Sequence, residues 1–123
     1  MIVDALGLPV AFEVTPGNVN DCEQAASLIE TVKPACLLAD KGYDTDAIRK
    51  QLADQNALTV IPSKANRKHP APLDTELYKA RCEVECRFSW LKQARRFATR
   101  YEKTLRNYVA VVAIRCSLAW LRI

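Results

Sequence analysis

Residues Tyr78 to Lys92 read YKARCEVECRFSWLK, inside a window from Leu73 to Leu105 that contains neither Pro nor Gly. With Asp74 or Thr75 as candidate N-cap, the window predicts a helix. Taking Tyr78 as zero and about 100° per residue, Glu85 falls at about −20°, Lys92 at about −40° and Arg81 at about −60°. An apolar stripe lies beside these groups: Phe88, Leu77, Val84 and Leu91, from about −80° to about −140°. A carboxylate at the border of the apolar face, flanked by Arg and Lys, is placed as a site residue is placed. The same pattern also describes a surface helix whose Glu85 pairs with neighbouring cations.

Working outward, the 123-residue chain has room for one compact domain, 1–123. Half of its residues are hydrophobic and 26% are charged, a globular rather than disordered composition. The net charge of +4 is compatible with a polyanionic partner and does not require one. The basic excess is concentrated around the Tyr78–Lys92 stretch, from Lys64 to Arg106. Five cysteines are an odd number without a close CxxC pair, and Met1 leads straight into the strand-like IVDALG. A cytoplasmic protein with reduced thiols is the expectation. Cys82, Cys86 and His69 would make a poor zinc site, having two ligands one turn apart and a loop histidine. The apolar run Tyr108–Leu121 is too short to span a bilayer and contains Arg115, so a core helix packed on a sheet is expected.

Taken in order, Ile2-Val3 and Val10–Val14 read as two strands joined by a tight connection punctuated by Gly7 and Pro9. Asn20 or Asp21 caps a helix to about Val32, and Pro34 ends it. Cys36–Ala39 is a short continuous apolar run, as in a strand buried on both faces. Asp44 or Thr45 caps a second helix to about Gln55, and Leu58–Ile61 is the next strand. Strand, helix, strand in this order predicts an α/β fold with parallel pairing. SKANRKHPAP, opening at Ser63, is a loop whose Lys64, Arg67 and Lys68 either touch phosphates or form a solvated tip.

Asp40 follows the apolar run directly, at the strand end where ligand-binding groups collect in open α/β sheets. A carboxylate there either binds a cation or caps the next turn.

The spacing Tyr78-x2-Arg81-x3-Glu85-x6-Lys92 resembles the Y-x2-R-x3-E-x6-K signature of bacterial insertion-sequence DDE transposases. LLADKGYD is similar to the second-Asp motif of that family, and the resemblance extends essentially from Ile2 to Leu121. It implies a ribonuclease-H-like catalytic fold that cuts and joins DNA, with Asp40 and Glu85 as catalytic and metal-binding carboxylates. Lys41, Arg67, Lys68, Tyr78, Arg81, Lys92, Arg95 and Arg96 would bind or support DNA, largely without reading sequence. Mg²⁺ or Mn²⁺ is the implied cofactor: hard cations take carboxylate oxygens, and two metals roughly 3.5–4 Å apart clamp the attacking and leaving oxygens. The family's first catalytic Asp has no convincing counterpart. Asp4 matches the family's VDALG turn and is a weak candidate. The expectation is therefore a C-terminal portion whose fold lacks its first strand and which is inactive alone. Its expected partners are double-stranded DNA and either the N-terminal half of a transposase or another protomer, in the nucleoid. The alternatives are a non-catalytic DNA-binding or regulatory fragment, or a decayed reading frame.

Overall fold

Two sets of buried aliphatic side chains organise the chain into two compact units: Thr15–Arg81, and Met1–Val14 joined with the segment from Cys82 onward. The computed structural model describes residues 1–122.

In the central unit the helix α1 (Asp21–Val32) starts at Asn20, whose side chain accepts the Cys22 N–H at 3.1 Å. It stops at Lys33, which turns left-handed (φ 47°) and returns its N–H to the Ile29 carbonyl. Strand β3 (Cys36–Leu38) pairs in parallel with β4 (Leu58–Val60), Cys36 opposite Leu58 and Leu38 opposite Val60. Between them runs α2 (Asp46–Asp54), capped by Thr45 rather than Asp44, with the Thr45 hydroxyl accepting the Ile48 N–H at 3.2 Å. The expected parallel crossover is therefore present, and the fold is α/β.

The core of this unit is Ile29, Ile48, Leu52 and Ile61, with Leu37, Ala39 and Tyr43 packed against it. Strand alternation explains why β3 is only half-buried, where burial on both faces was expected. Leu37 and Ala39 point to the helices, and Cys36 and Leu38 point the other way.

The unit closes with the one-turn helix α3 (Thr75–Tyr78) and a 3-10 turn, Lys79–Arg81. Asp74 caps α3 by accepting the Leu77 N–H at 2.9 Å. The expectation of one regular helix through Tyr78–Lys92 is corrected here. A 3-10 turn winds at about three residues per turn instead of about 3.6, so the regular angular reading fails between Tyr78 and Cys82.

In the other unit β1 (Ile2–Val3) pairs antiparallel with β2 (Pro9–Ala11). The turn between them is held by Asp4, whose Oδ1 accepts the N–H groups of Leu6 and Leu8, both at 2.9 Å. Gly7 in that turn takes a φ of +72°, which a side chain would strain.

Helices α4 (Cys82–Lys92), α5 (Arg95–Ala98) and α6 (Leu105–Trp120) follow. Leu91, Val112 and Cys116 form their core, with Phe12, Phe88, Trp90, Phe97 and Tyr108 around it. The apolar run is expected to form a core helix packed on a sheet, and α6 buries only part of its circumference. Val112, Cys116 and Ala119 are buried, whereas Ile114 is 63% and Leu118 41% exposed. The helix meets its neighbours along a single i, i+4, i+7 stripe, and its link to β2 is the Trp120 indole N–H donated to the Pro9 carbonyl at 2.8 Å.

The Thr104 hydroxyl caps α6 by accepting the Asn107 N–H at 3.3 Å. Thr104→Ala is expected to lower stability by about 1 kcal/mol. The check is a lower urea midpoint at unchanged slope.

Candidate functional site

Asp40 stands one residue beyond Ala39, where the chain leaves the half-buried β3, and is exposed. Its Oδ1 accepts the Gly42 N–H at 2.8 Å and so caps the 3-10 turn Lys41–Tyr43. A Cβ on Gly42 would lie 2.9 Å from that same oxygen, so the absence of a side chain at 42 lets the carboxylate occupy its position. Lys41 is exposed on the same turn.

Four residues after Asp40, Asp44 is only 3% exposed. Its Oδ1 accepts from Arg49 Nε at 2.6 Å. Its Oδ2 accepts from the Lys64 backbone N–H at 2.7 Å and from Arg67 Nε at 2.8 Å. Burial by itself would raise the carboxyl pKa. The hydrogen bonds from Arg67, the Lys64 N–H and Arg49 outweigh it and hold the group well below the usual carboxylate range.

Arg49 also donates to the Ile61 carbonyl at 2.9 Å, which ties α2 to the end of β4. Arg67 reaches a second acid, Asp46, through Nη1 at 2.7 Å. Asp44, Asp46, Lys64, Arg67, Lys68 and His69 contribute to the walls of an open cleft of about 520 Å³.

These contacts show how two of these residues are engaged within the unit. Arg67, expected on DNA, has its guanidinium engaged by two carboxylates, while the adjacent Lys68 is exposed. Asp44, read as a candidate helix cap and as the last residue of LLADKGYD, is the buried hub of the network. One local clue was available: Thr45 can cap α2 by itself, which leaves Asp44 for other work. Its partners are five, twenty and twenty-three residues away, and no local pattern announces them.

Tyr78 and Arg81 close the central unit as a cation–π pair, the guanidinium carbon 5.6 Å from the ring centre. On α4 of the other unit, Glu85 and Lys92 are both exposed and seven residues apart, hence on one helix face. Arg95 and Arg96 are exposed on α5: Arg95 lies 5.8 Å over the Tyr101 ring, and Arg96 approaches Glu102 at 3.7 Å. Asp4 has one carboxylate oxygen engaged by its own turn.

Among the described residues, no group of three or more His, Cys, Asp or Glu side chains is arranged to hold a metal ion. Nor is any helix among them long and apolar enough to cross a membrane.

Residues 1–120 match the family described as Transposase DDE domain. The chain is 40% identical to a Brucella ovis protein described as transposase for insertion sequence element IS6501, over 98% of this chain and 95% of that protein. It is 31% identical to a Burkholderia cepacia protein described as transposase for insertion sequence element IS402, over 96% of this chain and 59% of that protein. Against the transposase for insertion sequence element IS1106 of Neisseria meningitidis serogroup B it is 32% identical, over 77% of this chain and 35% of that protein. No solved structure matches the chain.

Proposed function

The chain belongs to the transposase DDE domain family, and from that premise we propose that it acts in cleavage and joining of DNA at the ends of an insertion sequence. The observation that carries this reading is the exposed Asp40 on a short turn leaving a parallel strand, within a family match that spans residues 1–120. The chain is read as a single transposase domain of ribonuclease-H-like type, and the α/β order with its parallel β3–β4 pair supports that reading.

Asp40 and Glu85 are assigned the catalytic carboxylate roles. Carboxylate oxygens suit Mg²⁺ or Mn²⁺ in kind, although the described residues form no cluster of three such donors. A bound divalent cation would neutralise charge developing on a phosphoryl oxygen. The chain's own residues hold the substrate. Lys41, Lys68, Lys92, Arg95 and Arg96 are exposed cations suited to phosphate contacts that carry no sequence information. Tyr78 and Arg81 support the end of the central unit. The partners are double-stranded DNA and either the N-terminal half of a transposase or another protomer, and the place of action is the nucleoid.

The test is purified protein with Mg²⁺ or Mn²⁺ and a duplex carrying an insertion-sequence end. This chain alone is expected to leave the duplex uncut. With the N-terminal half of a transposase or another protomer supplied, strand cleavage that Asp40→Ala abolishes is the expected result. Cleavage by this chain alone would overturn the reading of it as an incomplete portion. Binding without any cleavage even when those partners are supplied would leave a DNA-binding protein and remove the enzyme reading. For Lys68→Ala, affinity should fall alike on all duplex sequences, and the slope of log K against log salt should shrink by about 0.9. An unchanged slope would take Lys68 off the DNA.

A further inference from the structure

The loop of residues 63–72 has neither helix nor strand, yet it carries Lys64 and Lys68. Ordering such a segment costs about 1–2 kcal/mol of backbone entropy per residue, so something must hold it. Part of the hold is internal: Arg67 N–H to the Lys64 carbonyl at 3.0 Å, and Ala71 N–H to the Ser63 hydroxyl at 3.0 Å. The links from the loop to the body of the unit converge on one place. The Lys64 N–H and the Arg67 guanidinium both end on Asp44 Oδ2, and Arg67 continues to Asp46. On the other side, Asp44 is joined to Asp40 by the 3-10 turn, closed by Tyr43 N–H to the Asp40 carbonyl at 3.1 Å and Asp44 N–H to the Lys41 carbonyl at 3.2 Å.

We propose that Asp44 is a positioning residue: its buried carboxylate fixes the basic loop, through Lys64 and Arg67, to the turn that presents Asp40, and so sets the grip on DNA without touching DNA. The proposal rests on the DNA-cleaving reading above. Its chemistry is specific. Arg49 occupies the other carboxylate oxygen and anchors it to α2 and the end of β4, so the loop is tied to a rigid base. Arg67 belongs to this tether, because its planar fork matches two carboxylates at once, which an ammonium cannot do. Lys64 and Lys68 are left to meet phosphate.

Charge gives the test its sign. Asp44→Asn removes a negative charge beside a basic loop, so electrostatics alone predicts equal or tighter DNA binding. The tether predicts weaker binding, by roughly tenfold at fixed salt, the order expected when one or two phosphate contacts lose their placement. Asp54→Asn is the control, since it makes the same charge change at an exposed carboxylate of α2 outside the tether, and it should bind as well as the parent or better. The 1–123 chain, a generic duplex and fixed ionic strength suffice, with far-UV circular dichroism to confirm folding. Asp44→Asn binding as tightly as the parent while folded would overturn the proposal.

If Asp44→Asn does not fold, Arg67→Lys keeps the charge and breaks the fork. Weaker binding supports the tether, and unchanged binding overturns it. Should the parent itself fail to bind duplex, the DNA reading falls. The tether is then read separately, from faster exchange of the Lys64 amide in Asp44→Asn, and unaccelerated exchange in that folded variant would refute it.

Discussion

Glu85→Gln is expected to remove strand cleavage while leaving the protein folded and bound to duplex. The change is isosteric and deletes only the charge and one acceptor oxygen. Glu85 is exposed on α4, so the stability cost should stay within about 0.5 kcal/mol. A carboxylate that binds a catalytic cation directly matters more than an outer partner, whose loss already costs about 10–100-fold. The expected fall in cleavage rate is therefore beyond about 100-fold. Affinity for duplex should hold or improve, because one negative charge has left a basic surface. Parallel cleavage and mobility-shift assays on the parent and the variant check both halves. Retained cleavage would remove Glu85 from the proposed carboxylate pair.

Asp44→Ala should be the most damaging single change in the central unit, lowering stability by about 3 kcal/mol. Breaking a buried ion pair from one side costs about 3–5 kcal/mol, because the partner charges are left uncompensated. The lower end applies since Arg49 and Arg67 keep 18% and 19% of their side chains in water. Against a total of about 5–15 kcal/mol, that is a large share. The pH dependence has a definite sign. Asp44 has a folded-state pKa below its ordinary value of 3.8, so the unfolded chain binds the proton first as pH falls. The stability it supplies is complete above that ordinary value and is lost progressively at lower pH. The parent should therefore lose stability on acidification below about pH 4, and Asp44→Ala should lose less over the same interval. Urea midpoints between pH 2 and pH 6 would show the two curves converging toward the acid end; parallel curves would mean the buried carboxylate supplies nothing.

Most of the local structure follows from the amino-acid sequence by itself. Asn20, Thr45, Asp74 and Thr104 each satisfy an N–H within three residues, so the helix starts are legible without the fold. The apolar runs at Cys36 and Leu58, separated by an amphipathic helix, dictate a parallel pair for the same local reason. The Tyr-Arg-Glu-Lys spacing likewise resembles the family signature at the level of sequence alone. The tertiary structure alone decided three matters. It broke the Tyr78–Lys92 stretch with a 3-10 turn at Lys79–Arg81, and propensity does not foresee that break because no Pro or Gly marks it. It left one side of α6 in water, since a helix covered with small and branched side chains buries only the face its neighbours reach. And it converted Asp44 from a helix cap into a buried anion shared by Arg49, Lys64 and Arg67. Burial and charge pairing over twenty residues are properties of a folded surface, and the only trace they leave in the sequence is an Asp whose capping job the next residue can do.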